Sequence, residues 1–128
     1  MVGCGAAFGW QLSLGDEVQA FVRAYGFVPE RLTEAVRALD DTLFVAIGTV
    51  FSSMFLHGGW LHVIGNLLYL RVFGDNIEDR LGHLGYPIFY LAGGAAGALG
   101  QYSAHPGSDV PMVGASGAIA GVMGGYLL

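Results

Sequence analysis

Three polar residues stand out within the apolar stretches of this 128-residue chain: His62, Asn66 and Ser116. His62 and Asn66 are four positions apart, a spacing that sets them one above the other on one face of a helix, where both can donate hydrogen bonds in the same direction. Ser116 lies between Gly114-Ala115 and Gly117 at the head of an apolar run, so it is expected at the start of a helix. Backbone N–H groups there lack intrahelical partners, and the helix dipole favours negative charge. A hydroxyl so placed could attack a carbonyl, and the oxyanion formed would find donors waiting for it. The same residues also admit a purely structural account, with Ser116 as a helix N-cap and His62 with Asn66 as an interhelical hydrogen-bond pair.

The elements that must carry these residues are those of a membrane protein. Hydrophobic residues make up 54% of the chain and charged residues 12%, about half the charged share of a soluble domain. Residues 42–70, 81–108 and 110–128 contain no Asp, Glu, Lys or Arg, and each run approaches or exceeds the roughly 20 residues that cross a hydrocarbon core as a helix. A soluble domain of this length buries only about two-thirds of its unfolded surface, too little to hide three such runs. The expected fold is therefore an all-α, polytopic transmembrane helical bundle.

Residues 1–15 are expected to be the remnant of a first transmembrane helix. Residues 16–59 are expected to form an interfacial loop with short helices, and residues 60–128 a core containing the second to fourth transmembrane helices. Charges concentrate in residues 16–41, with Asp16, Glu17, Glu30, Glu34, Asp40 and Asp41 beside Arg23, Arg31 and Arg37. Within that stretch Pro29 suits the first turn of a short helix running towards Leu39. The glycine pair Gly58-Gly59 precedes the second long helix, expected over 60–74 with Trp60 as a headgroup-level anchor. The polar patch 75–80 should return the chain to an interface. A third helix is expected over 84–103, the Pro106-Gly107 turn follows, and the fourth helix begins near Ser116. That helix stops at Leu128 after about 18 Å at 1.5 Å per residue, so the chain is expected to be truncated at both ends.

Among the 22 glycines, Gly93 and Gly97 in the third helix and Gly117, Gly121 and Gly125 in the fourth recur at four-residue spacing, which lets two helix backbones approach closely in lipid. No phosphate-cradling role fits, because no strand precedes them. The single cysteine, Cys4, leaves no intrachain disulfide and no cysteine-based metal cluster. No metal site is expected among the four histidines, and no cofactor. The net charge of −5 and the lack of any lysine exclude a nucleic-acid partner.

The order of the motifs carries more than any one of them. Phe55-Leu56-His57-Gly58-Gly59-Trp60-Leu61-His62-Val63-Ile64-Gly65-Asn66, then Gly74, Glu78 and Gly82 in a Gly-x-x-x-Glu-x-x-x-Gly stretch, then Gly114-Ala115-Ser116-Gly117, together resemble the rhomboid family of intramembrane serine proteases over roughly residues 42–128. The resemblance implies Ser116 as the nucleophile, with His62 and Asn66 helping its backbone N–H to bind the oxyanion. It implies structural roles for Glu78 and Arg80, a transmembrane protein substrate, the lipid bilayer as the medium, and a multi-pass location in the cell membrane. It further implies a base histidine on a sixth helix; none of the four histidines here occupies that position, so residues 1–128 alone are expected to be inactive. Ala120 stands where some members carry a tyrosine that packs on that histidine. His57 is expected to hydrate the site from its loop, and His83 and His105 to be surface turn residues. Two other classes remain: a catalytically inactive rhomboid-like scaffold, and a packing or transport module in which the three polar residues only cross-link helices.

Overall fold

In a computed structural model, which describes residues 2–126, the regular elements of the chain are helical. They are α1 (Val2–Ser13), α2 (Val18–Tyr25), α3 (Pro29–Ala38), α4 (Thr42–Ser52), α5 (Trp60–Tyr69), α6 (Asp75–Ala104) and α7 (Ser116–Tyr126). Among the described residues the one pairing of strand type is an isolated antiparallel bridge between Phe27 and Met112.

The charged stretch folds as its punctuation requires. Val28 is extended at φ −113° and ψ 112°, as a residue before proline must be, and Pro29 opens α3. Leu39 closes it in the left-handed conformation at φ 53°, its N–H bonded to the Ala35 carbonyl at 2.9 Å. Asp40 then accepts from the Thr42 backbone N–H at 2.9 Å, which turns the chain into α4.

The second long helix differs from its expected bounds. It does not end at Gly74: α5 passes through a wider π turn, Leu70–Gly74, straight into α6, and the polar patch 75–80 is helical. The break comes at Gly82, at φ 74° and ψ 166°, inside α6. A left-handed φ is open to glycine without a Cβ clash, so the reversal falls here rather than at the charged residues. After Gly82 the chain folds back on itself. Tyr86 Oη lies over Gly74, where a Cβ would stand 2.7 Å from it, and Leu70, Tyr86, Tyr90 and Leu91 line one cavity of about 210 Å³.

No single helix among the described residues is long and apolar enough to cross a membrane; residues Thr42–Phe55 and Trp60–Ala104 meet that requirement only as a pair, bent by 83°. Leu61, Leu84, Ile88, Phe44 and Val45 stay exposed. The buried interior runs from Phe27 and Met54 through Tyr90 to Ala115, Ala118 and Val122.

The α6–α7 interface is glycine against glycine. A Cβ at Gly97 would come within 2.9 Å of the Gly117 Cα, and one at Gly121 within 3.1 Å of the Gly93 Cα. The four-residue spacing read in the sequence is thus a packing device. Gly97→Leu is expected to separate α7 from α6 and lower the unfolding midpoint in detergent by several degrees, an overpacking cost of about 1–3 kcal/mol. Gly100→Ala, at a position with open space around it, should leave the midpoint unchanged or raise it.

Candidate active site

Ser116 is the first residue of α7, and the first intrahelical bond of that turn runs from the Ile119 N–H to the Ala115 carbonyl at 2.8 Å. The N–H groups of Ser116, Gly117 and Ala118 therefore precede the repeating helical bonds. Its side chain is exposed, at a cavity of about 250 Å³ lined also by Ser53, Gly97, Gln101, Gly114 and Gly117.

Two residues upstream, Gly114 holds φ 114°, another backbone conformation that suits glycine. Its N–H donates to the Ser53 carbonyl at 2.9 Å, which ties the segment to the end of α4. A Cβ on Gly114 would sit 2.5 Å from both Cε1 and Nε2 of His62 and 3.5 Å from Nδ2 of Asn66. The structure thus sets the α5 pair against Gly114, two residues before Ser116, while the cavity at which Ser116 sits is lined by neither His62 nor Asn66.

The protonation pattern follows from the partners. The Gly58 backbone N–H donates to His62 Nδ1 at 3.4 Å, so in the neutral ring the proton lies on Nε2, the nitrogen beside Gly114. Asn66 is 7% exposed, and its Nδ2 has no hydrogen-bond partner among the described residues. His62 Nε2 and Asn66 Nδ2 thus both lie near Gly114.

The other histidines part company. His57 does not reach into the site from an open loop: it is 2% exposed, with Nδ1 donating to the Phe55 carbonyl at 3.1 Å and its ring edge-on to His62 at 5.2 Å between centroids. The loop is closed over it because Gln11 of α1 grips its backbone: Gln11 Nε2 donates to the His57 carbonyl at 3.0 Å and the His57 N–H donates back to Gln11 Oε1 at 2.9 Å. His83 lies in α6 and pairs with Glu78 at 2.5 Å on the surface. His105 ends α6 and is exposed, as a turn residue should be. Gln11 was not singled out from the sequence, though a glutamine inside an apolar run was an available signal, and Gly114 entered only as part of the serine motif.

A family profile described as Rhomboid domain matches residues 46–128. The chain belongs to the rhomboid family. It is 34% identical to Rhomboid-related protein 2 of Mus musculus over 102 residues, covering 80% of this chain and 29% of that one. It is 30% identical to the mitochondrial RHOMBOID-like protein 6 of Arabidopsis thaliana over 126 residues, covering 88% of this chain and 40% of that protein. It is 29% identical to Rhomboid-like protease 5 of Toxoplasma gondii over 126 residues, covering 94% of this chain and 15% of that protein. The chain thus spans well under half the length of these curated relatives. No solved structure matches it. Rhomboid proteins are membrane proteins that act on membrane-protein substrates in the bilayer, and the family includes both serine proteases and inactive members.

Burial holds the His57 ring below its ordinary pKa of 6.5, repulsion from His62 adds to this, and the Phe55 carbonyl opposes it. The unfolded chain takes up a proton at a pH where the folded rhomboid domain still refuses it. Stability is therefore expected to be full above the unfolded pKa and to fall as pH drops through it. The unfolding midpoint followed from about pH 7.5 to about pH 5 should decline, and the slope should be shallower in His57→Phe.

Proposed function

We propose that the whole protein is an intramembrane serine endopeptidase that cleaves transmembrane substrates, with Ser116 as nucleophile. The observation that carries this reading is the approach of the α5 pair to the segment before Ser116: Gly114 lies against His62 Nε2 and near Asn66 Nδ2, two residues ahead of the helix start that bears Ser116. Donors fixed before the reaction, in a setting shielded from water, stabilise an oxyanion far better than donors that must reorganise. In this reading Ser116 Oγ attacks the scissile carbonyl, and the Ser116 backbone N–H completes the set of donors. The intermediate collapses to an acyl-enzyme as the C–N bond breaks and the amine leaves with the proton the base took from Ser116 Oγ. Water entering a polar cavity among the helices then hydrolyses the ester to free the acid and restore Ser116.

A serine hydroxyl needs a base to take its proton. The His62 ring has its Nδ1 engaged by Gly58 and its Nε2 beside Gly114, which suits donation rather than proton abstraction. The base belongs, by the rhomboid resemblance, to a histidine on a later helix of the whole protein. Residues 1–15 would then be part of a first spanning helix, 16–59 the interfacial segment and 60–128 the helices bearing the donors and the nucleophile, in a multi-pass protein of the cell membrane. The name Rhomboid-like protease 5, borne by the relative aligned over 94% of this chain, supports the same activity.

Ser116→Ala in the full-length protein, reconstituted with a single-span substrate, should abolish both cleavage and labelling by a fluorophosphonate. His62→Ala and Asn66→Ala should each lower kcat, by about 10²–10³-fold for a donor of this kind. Cleavage unchanged by Ser116→Ala would remove Ser116 as the nucleophile, and a wild type that neither cleaves nor labels would favour an inactive rhomboid scaffold.

A further inference from the structure

We infer that Gln11 of α1 is a positioning residue for His62, acting through the peptide unit between His57 and Gly58. The inference rests on the oxyanion role proposed for His62 and adds what holds that ring in its donor form.

Gln11 is 3% exposed, and a buried amide must be bonded at both ends. Its two bonds go to one residue on the chain 46 positions away, with Nε2 donating to the His57 carbonyl at 3.0 Å and Oε1 accepting from the His57 N–H at 2.9 Å. The reciprocity fixes the orientation of the amide, because turning it over would set donor against donor and acceptor against acceptor.

The His57 carbonyl and the Gly58 N–H belong to the same planar trans peptide, so fixing one end fixes the other. The free end of that peptide is the N–H that reaches His62 Nδ1 at 3.4 Å. A chain of bonds therefore runs from α1 to the candidate oxyanion donor: Gln11 amide, His57–Gly58 peptide, His62 imidazole. A hydrogen bond to the carbonyl also polarises the peptide and strengthens its N–H as a donor.

An outside restraint is needed at this point. Gly58 and Gly59 have no side chains to anchor the loop, and Gly59 is fully extended at φ 161° and ψ 176°. The peptide preceding Gly58 could turn over at little steric cost if nothing held its oxygen. If it did, His62 Nδ1 would lose its donor, the proton could move to Nδ1, and Nε2 would present a lone pair towards Gly114. A lone pair facing an oxyanion repels where a proton would attract. Gln11 itself does not reach the reacting atoms.

The test uses the full-length protein in detergent and in vesicles, comparing wild type with Gln11→Met and Gln11→Glu. Methionine keeps the volume of the side chain and loses both bonds; glutamate keeps the acceptor for the His57 N–H and loses the donor to its carbonyl. The ring nitrogen resonances of ¹⁵N-labelled His62, kcat and KM on a single-span substrate, and the unfolding midpoint are read on each. In wild type the resonances should report the Nε2–H tautomer. In both variants they should move towards a mixture of tautomers, with kcat down about tenfold and KM within about twofold, the pattern of an interaction realised in the transition state. The midpoint should fall in both variants, since glutamate sets a carboxylate oxygen against the His57 carbonyl; resonances and kcat read well below each midpoint, where the protein is folded, separate the effect on His62 from loss of fold. Unchanged His62 resonances in both variants, or a kcat that follows the unfolding midpoint alone, would overturn the inference. The tautomer readout needs no activity, so a protein still active as Ser116→Ala would remove Ser116 as the nucleophile while leaving the link from Gln11 to His62 to stand or fall on its own spectra.

Discussion

The rest of the site depends on the contact between two glycine faces, Gly93 and Gly97 of α6 against Gly121 and Gly117 of α7. With no Cβ on either side, the two backbones meet directly, and many small dispersion contacts replace the interdigitation of larger side chains. Ser116 adjoins Gly117, so the backbone contact that sets the depth of α7 also sets the height of the hydroxyl. A shift of α7 by one residue is about 1.5 Å along its axis, enough to spoil the alignment that a reacting group requires. The position of Ser116 is thus set by main-chain packing, which varies less than the rotamer of any long side chain.

The segment that leads into α7 has no regular structure of its own, yet its polar backbone groups must be bonded wherever water is excluded. The charged stretch supplies the partners. Met112 exchanges two backbone bonds with Phe27, at 3.1 and 2.7 Å; the Glu30 N–H donates to the Ser108 carbonyl at 3.0 Å; and Thr33 Oγ1 donates to the Pro106 carbonyl at 2.7 Å. Gly26 passes so close beneath that a Cβ there would stand 3.1 Å from that of Pro111. Residues 26–33 are therefore a scaffold for the loop before Ser116, and the Ser53 carbonyl at Gly114 is the last tie in the series.

Much of this was legible in the residues, and the misses have physical causes. Helix type, the start of α3 at Pro29, the start of α5 at Trp60 and the start of α7 at Ser116 all follow from local chemistry: a proline, a glycine pair, a polar residue before an apolar run. The glycine spacing likewise announced its own partner face. The reversal at Gly82 was missed because the charged patch 75–80 looks like a loop, whereas its side chains lie on a helix and the turn needs only the left-handed φ of one glycine. His57 was misplaced for a different reason. Its burial depends on Gln11, 46 residues away, and no local pattern encodes a pair bond between an amide side chain and a distant peptide. The coming together of His62, Asn66 and Gly114 was legible only through the family resemblance, since spacing along α5 shows which face two residues share and not what that face meets.

The buried groups left without partners mark where the site departs from ordinary packing. Asn66 Nδ2 and His57 Nε2 are both enclosed with no partner among the described residues, and a buried polar group left without any partner costs about 1–3 kcal/mol. They are not equivalent. With its Nδ1 donating to the Phe55 carbonyl, His57 offers at Nε2 a lone pair, which can bind only a donor. Asn66 offers N–H groups and adjoins Gly114, where only an acceptor could relieve them. In the proposed reaction the one acceptor that arises there is the oxyanion. A donor unsatisfied in the resting state and satisfied in the transition state contributes its whole bond to the difference between the two, and that difference is what lowers a barrier. The same donor bonded beforehand to a carbonyl or a hydroxyl would make the fold more stable and the chemistry slower.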